Sequence, residues 1–215
     1  ATQVPTYTAL DSNPGAGLFR GNPNLGRETS HNFELCAKGA WAGWHSDAAV
    51  FYRRDDRLVD WTFHSGVTAR TANPVNIDTT GAELFARRSF DRFDVALGCT
   101  WLAKDADYGT AAVDASFYAL NYPRQRLTAA FTARLGGGWE VRLDNDARMQ
   151  AGNLLRVTGG DHALLSTLGL FFRPAQVHGL TLAVQAGNLW NSSFQAVPAV
   201  PAAKRQVTGS ATYLW

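Results

Sequence analysis

Alternation of apolar and polar side chains along short stretches is the feature that most constrains this sequence. In residues 139–150, Val141 and Leu143 alternate with Arg142 and Asp144. A period of two is typical of a β-strand with one apolar face, and the charged face then needs water, a lumen or ionic partners. The same pattern recurs in two further stretches, 127–135 and 206–215.

Composition is compatible with a β-protein that lies in water or in lipid. With 46% hydrophobic residues the chain is too apolar to be disordered. No apolar run reaches the roughly 18 residues that a membrane helix needs. The strands of a membrane β-barrel alternate, so its mean hydropathy stays low, and here it is −0.18. A formal net charge of +2 gives no reason to expect a nucleic-acid partner.

The N-terminal residues 1–10 lack the basic start and the apolar core of a secretory signal. We therefore expect either a mature N-terminus or a piece of a longer protein.

Over the whole chain the alternation predicts an all-β fold of about ten strands. The predicted strands are 4–10, 29–41, 45–63, 76–89, 92–103, 124–135, 139–150, 161–173, 180–191 and 203–215. A helical turn is expected only within Ala111–Leu120, inside a loop.

The links between the predicted strands alternate between long and short. Outer-membrane barrels show this asymmetry, with short periplasmic turns and longer extracellular loops, whereas a Greek-key sandwich has no reason to alternate so regularly. Aromatic residues flank the short turns, as they do where a barrel wall meets the membrane surface. These residues are Trp41, Trp44, Phe90, Phe93, Trp139 and Trp215. The pattern predicts an antiparallel transmembrane β-barrel.

Specific motifs add a family resemblance. Residues 21–30, Gly-Asn-Pro-Asn-Leu-Gly-Arg-Glu-Thr-Ser, followed by Asn32-Phe33-Glu34-Leu35, resemble the barrel of TonB-dependent outer-membrane receptors. Further segments follow in the order of that family. They are 49–61, 76–84, 122–127, 188–191 and the terminal Tyr213-Leu214-Trp215. Arg27 stands where the family usually has proline, and Cys36 where it usually has glycine.

The resemblance implies that residues 1–215 are the C-terminal part of a barrel of about 22 strands with a plugged lumen. The plug and the segment that contacts TonB would lie outside these residues. The parent protein would be an outer-membrane receptor that takes up a scarce nutrient, a ferric siderophore or cobalamin, with TonB supplying the energy. The terminal strand, which ends in Trp215, would be read by the barrel assembly machinery, and the apolar face would meet outer-membrane lipid.

Ligand contacts would come from the extracellular loops, where the aromatic candidates are Tyr108, Phe117, Tyr118 and Phe194. Charged residues of 139–150 are interpreted as lining the lumen. We expect no metal site, because the five histidines are scattered without ligand spacing. We also expect no catalytic site and no cofactor. Cys36 and Cys99 have opposite strand phases, which excludes a disulfide between them.

Two alternatives remain open from the residues. The first is a self-contained barrel of about ten strands that acts as a passive pore, an adhesin or, with the dyads Asp55-Asp56 and Asp161-His162 near its rim, a protease. The second is a soluble β-sandwich that binds a ligand. A severed barrel would expose two unpaired strand edges, so an isolated chain is expected to be unstable, to aggregate or to close into a non-native ring.

Overall fold

The computed structural model describes residues 1–13, 16–117, 119–197, 200 and 202–215. Its strands form one sheet, in which nine long strands follow one another as antiparallel neighbours. The long strands are β3 (Glu28–Trp41), β4 (Trp44–Phe63), β5 (Arg70–Ser89), β6 (Phe93–Asp107), β8 (Pro123–Gly136), β9 (Trp139–Gln150), β10 (His162–Phe172), β11 (Leu180–Gly187) and β12 (Gln206–Tyr213).

Three two-residue strands complete the sheet. β1 (Thr2–Gln3) pairs antiparallel with the start of β3, β2 (Phe19–Arg20) pairs parallel with β5, and β7 (Ala115–Ser116) pairs antiparallel with β4. The all-β prediction is confirmed. Among the described residues, no helix has the length and apolarity required to cross a membrane.

The predicted strand 4–10 is wrong. The nearest strand, β1, ends at Gln3, and α1 (Tyr7–Asp11) follows as a short helix. Its first turn is capped by Thr6, whose hydroxyl accepts a hydrogen bond from the Ala9 backbone N–H. A side-chain cap of this kind satisfies a helical N–H that a strand would have needed to pair with a neighbour.

The helical turn expected within Ala111–Leu120 is also wrong for the residues that the structure describes there. The segment instead contains β7, which extends the sheet at the β4 edge. Backbone N–H groups on either side of β7 continue the pairing, from Asp114 to the Phe63 carbonyl and from Phe117 to the Trp61 carbonyl. The backbone N–H groups of this segment are therefore paired with β4, and they do not need the local i to i−4 hydrogen bonds of a helical turn.

The strand register separates two faces, as the alternation predicts. Leu143 lies opposite Phe131 on β8 and Leu168 on β10, while the neighbouring Arg142 lies opposite Thr132. Successive side chains of a strand point to opposite sides of the sheet. The leucines and phenylalanine therefore share an apolar face, and Arg142 belongs to a polar face on the other side.

Charged residues on the polar face pair with one another. Asp146 accepts hydrogen bonds from both Arg126 and Arg148, and Arg142 donates to Asp144 at 2.7 Å. The apolar face carries two levels of aromatic side chains. At the end with the β3–β4 turn these are Trp41, Trp44, Phe93, Trp139, Phe172 and Tyr213, and towards the opposite end Phe33, Tyr52, Trp101 and Trp190, the last bonded to Ser166 of β10.

The turns repeat the predicted alternation of lengths for all but two connections. Turns of two or three residues join β3 to β4, β5 to β6 and β8 to β9 at one end, and loops of 11 residues or more join β6 to β8, β9 to β10 and β11 to β12 at the opposite end. The β10–β11 turn has seven residues and the β4–β5 loop only six, because β5 begins at Arg70 and not at the predicted residue 76. At the β3–β4 turn, Ala42 and Gly43 have φ values of 50° and 80°, which suits a two-residue hairpin connection.

The sheet is open. β3 and β12 are its long edge strands, and both run towards the short-turn end, so a direct contact between them would be parallel. The buried core lies at the long-loop end, where Val75, Ile77 and Ala119 pack with Leu58 and Tyr108. The most buried side chains therefore lie where the loops pack against the sheet of β3–β6 and β8–β12, which is named the wall.

Cys36 and Cys99 are free thiols on opposite faces, as predicted.

Candidate functional site: the loop cap

The loops at the long-loop end form a cap, defined here as residues 108–122, 151–161 and 188–197 without the undescribed Tyr118. Arg156, from the β9–β10 loop, is its most buried charged group, since its side chain is 0% exposed. The guanidinium donates to Asn121 of the β6–β8 loop, to the Gln195 carbonyl of the β11–β12 loop, and to Asp161 of its own loop. One side chain therefore contacts all three loops.

Phe194 lies under this guanidinium. Its ring is 4% exposed, with the Arg156 guanidinium carbon 5.4 Å and the Arg148 guanidinium carbon 5.9 Å from the ring centre. Both distances suit a cation–π contact. Because Arg148 belongs to the polar face of β9, Phe194 joins the cap to the wall.

A second buried group fixes the β6–β8 loop. Asp60 of β4 is 0% exposed and accepts hydrogen bonds from the Tyr108 hydroxyl at 2.8 Å and from the Ala119 backbone N–H at 3.2 Å. Burial, together with the negative charge of Asp60, raises the pKa of Tyr108. Tyr108 therefore keeps its proton at physiological pH and serves as a hydrogen-bond donor to the carboxylate.

A third contact ties the β4–β5 loop to the β6–β8 loop. Asp114 accepts a hydrogen bond from the Ser65 backbone N–H at 2.7 Å, and its carboxylate lies 2.9 Å from His64 Nδ1. The Ser65 hydrogen bonds, with a smaller contribution from His64, hold the pKa of Asp114 below its usual value.

Aromatic and cationic side chains meet beside this contact. Arg70 lies over the rings of Phe63 and Phe117, at 4.8 and 5.8 Å from their centres, and Phe19 packs edge-on against Trp61 at 5.5 Å. Phe19 is 47% exposed, so this cluster reaches solvent. Such a surface offers flat apolar area next to a positive charge.

The structure places the predicted ligand-contact residues in different environments. Tyr108 is bonded to Asp60, Phe117 belongs to the Arg70 cluster, and Phe194 is buried under Arg156. Tyr118 lies outside the described residues. No described contact brings Tyr108, Phe117 and Phe194 together, and their role in binding stays a prediction.

The two dyads have partners of their own. Asp55 pairs with Arg53 on one face and Asp56 with Arg54 on the other, while Asp161 pairs with Arg156. No group of three or more metal-ligating side chains occurs in the part of the chain that the structure describes.

The polar face carries a shallow depression of about 400 Å³, lined by charged residues that include Lys38, Asp47, Glu83 and Arg126.

Sequence reasoning did not identify Arg156 or Asp60. Arg156 stands in a loop without a motif, and Asp60 was noted only as part of the family-like segment 49–61. The partners that join them to other loops lie between 35 and 59 positions away in the sequence. The one available signal was composition, since a charged residue next to Leu154 and Leu155 in a predicted loop is unusual for an exposed surface.

Taken together, the antiparallel wall with one apolar and one charged face defines an open section of a β-barrel. A family model for the β-barrel of TonB-dependent receptor-like proteins matches residues 1–189. The chain therefore belongs to the TonB-dependent receptor β-barrel family. The search of curated proteins found no match.

Solved structures give the same fold. The chain is similar to the copper transporter OprC, with a TM-score of 0.71 and 13% identity over 99% of this chain and 36% of that one. For the siderophore receptor PirA from Pseudomonas aeruginosa the TM-score is 0.64, with 15% identity over 99% and 35%. For the FrpB iron transporter from Neisseria meningitidis it is 0.64, with 14% identity over 88% and 32%. The chain thus spans about a third of the length of these proteins.

Proposed function

We propose that this chain is the C-terminal part of the barrel of an outer-membrane receptor, which takes up a scarce nutrient with energy supplied through TonB. The observation that carries the proposal is the open wall, apolar on one side and ionic on the other, in a chain of the TonB-dependent receptor family. The nutrient class is a metal chelate such as a ferric siderophore, or cobalamin. The proteins of similar fold include a copper transporter and an iron transporter.

The strand directions support a larger barrel over a self-contained small one. β3 and β12 run the same way, so nine long strands cannot close with antiparallel pairing throughout. Closure requires an odd number of further strands, which agrees with an even total of about 22. β1 already pairs antiparallel with the top of β3, and the Ala1 amino group donates to the Ser30 carbonyl. A longer strand that contains β1 and pairs along the whole edge of β3 would be the first of these further strands.

The partners follow from the same proposal. Outer-membrane lipid would contact the apolar face, the barrel assembly machinery would bind β12 and Trp215, and a plug in the lumen would face the charged side of the wall. TonB would act on that plug from the periplasm. The family is one of receptors, and we propose no enzymatic activity.

Ligand would be contacted from the loop cap, with Tyr108, Phe117, Tyr118 and Phe194 as the aromatic candidates. Among them, Phe117 has a cationic neighbour in Arg70. The ring and the guanidinium together offer an apolar surface and a positive charge to a chelate with apolar and anionic groups.

Uptake by cells provides the test. A strain deleted for the gene, with and without the full-length receptor, is given labelled ferric siderophores, copper chelates and cobalamin in separate assays. We expect one of these nutrients to accumulate only when both the receptor and TonB are present. Uptake that continues without TonB, or a receptor that restores none of the three, would refute the proposal. Alanine variants at the four aromatic positions that leave uptake unaltered would remove their assignment.

A further inference from the structure

Three loops of the cap share a single buried cation, and this suggests how they respond to a ligand. We propose that Arg156 is a positioning residue that couples the β6–β8, β9–β10 and β11–β12 loops, so that a change in one loop is transmitted to the other two. The inference deepens the proposed function, because it rests on these loops forming the ligand side of the receptor.

The N–H groups of Arg156 donate to acceptors in separate chain segments. Nε donates to the Gln195 carbonyl at 3.1 Å, Nη2 to Asn121 Oδ1 at 2.6 Å, and Nη1 to the Ala151 carbonyl at 3.1 Å and Asp161 Oδ1 at 2.5 Å. The guanidinium is planar and rigid, so these directions are fixed relative to one another. Movement of one acceptor therefore rotates the donors away from the others.

Burial makes the coupling strong. The Arg156 side chain is 0% exposed, so an N–H group that loses its acceptor finds no bulk water in its place. A buried charged donor without a partner is much more costly than one at the surface. The three loops consequently separate from the guanidinium together or remain together.

Asn121 adds a second connection that depends on the first. Its Oδ1 accepts from Arg156 and from Gln150 Nε2 at 3.1 Å, while its Nδ2 donates to the Ala196 carbonyl at 3.1 Å. All three bonds involve the planar side-chain amide of Asn121. The hydrogen bond from Arg156 therefore fixes the orientation of this amide, and with it the direction in which Nδ2 donates to the β11–β12 loop. The β6–β8 and β11–β12 loops are thus joined through Asn121 as well as through Arg156.

The coupled loops also rest on the charged wall. Phe194 lies within 6 Å of the guanidinium carbons of Arg156 and Arg148, and Arg148 shares Asp146 with Arg126 of the neighbouring strand β8. A displacement of the cap therefore reaches side chains that face the lumen. This is a continuous series of contacts from the loops to the inner wall.

The test measures hydrogen–deuterium exchange in the full-length protein in detergent micelles, without ligand. Arg156→Gln should accelerate exchange about tenfold or more in all three segments, 119–122, 151–161 and 189–197, since each loses a charge-assisted bond. Arg156→Lys should have a smaller effect, because one ammonium cannot reach all four acceptors. The matched control is Arg205→Gln, because the Arg205 guanidinium donates to the Leu189 carbonyl, and the Arg205 backbone N–H to Asn191, both within its own loop. It should affect residues near 189 alone.

Transmission is tested by Asp161→Asn, since the Asp161 side chain is bonded to Arg156 and belongs to only one of the loops. It should accelerate exchange in 119–122 and 194–197 in the wild-type background and add nothing in the Arg156→Gln background. Effects confined to 151–161, or additive effects in the double variant, would overturn the coupling. If Arg156→Gln does not fold, exchange in the three segments is compared between Arg156→Lys and Asp161→Asn. Acceleration confined to the loop that carries each substitution would then overturn the coupling. Because no ligand is used, failure here is separate from failure of the uptake assay.

Discussion

Ala129 and Ala130 are adjacent alanines of β8 that lie on opposite faces of the wall, which makes them a matched pair. Ala129 lies opposite Leu97 on the apolar face, and Ala130 lies opposite Asp144 on the charged face. Replacing each by arginine adds the same side chain at nearly the same depth. The two variants differ only in the medium that the new charge meets.

The expected difference follows from the position of the pair along the strand. β8 has 14 residues, and Ala129 is close to the middle of Pro123–Gly136. At about 3.4 Å per residue and a tilt of about 40°, the strand rises about 36 Å along the membrane normal, so its middle lies near the centre of an apolar band about 25 Å tall. Arginine facing lipid there costs about 2–4 kcal/mol of unfolding free energy. Arginine on the charged face beside Asp144 should change the unfolding free energy by less than about 1 kcal/mol.

The measurement is urea-induced unfolding of the full-length receptor in lipid vesicles, followed by the mobility shift between folded and heat-denatured protein on a gel. Ala129→Arg should reduce the ratio of folded to unfolded protein by about 30-fold or more, and Ala130→Arg by less than about sixfold. Equal destabilisation by the two variants, or a larger effect at Ala130, would show that the faces have been assigned to the wrong media.

Three further outcomes are expected. Trp190→Phe removes the indole N–H bond to Ser166 Oγ, which is 2.7 Å long on the apolar face, and should cost about 1 kcal/mol in the same unfolding assay. Because the pKa of Asp114 is depressed mainly by the Ser65 N–H, this contact stabilises the loops above the ordinary carboxyl range and is lost as the pH falls below it. Protection of the 64–67 amides, measured as the exchange rate relative to the intrinsic rate at the same pH, should therefore fall between pH 5 and pH 3, and an Asp114→Asn variant should show no such fall. Gly81→Ala should cost about 1–3 kcal/mol, since an added Cβ would lie 2.3 Å from a phenylalanine ring of β4.

The wall could be predicted from the sequence because each long strand carries its own signal. Alternation in 139–150 gives both the strand and its two faces, and the observed bounds of β9 are the predicted ones. β5 is longer than predicted, since it begins at Arg70 and contains Pro74. Proline is tolerated there because pairing with β6 begins only at Asn76, so no ladder bond is lost on that side.

Strand ends and the N-terminal region were less predictable. β11 ends at Gly187, short of the predicted residue 191, because Asn188 and Asn191 adopt positive φ values of 48° and 52°. Asparagine tolerates this conformation, but it does not require it. In residues 4–10 a local side-chain cap decided between helix and strand, and alternation over so short a stretch contains no information about that cap.

The loop cap depends on a different kind of information. Arg156 and its partner Asn121 are 35 positions apart, and Tyr108 and Asp60 are 48 apart. No periodicity relates such pairs, because they meet only after the strands between them have set the positions of the loop ends. Because the proposed function places the ligand contacts in the cap, we expect substitutions in the cap that leave the alternation of the strands untouched to change ligand specificity.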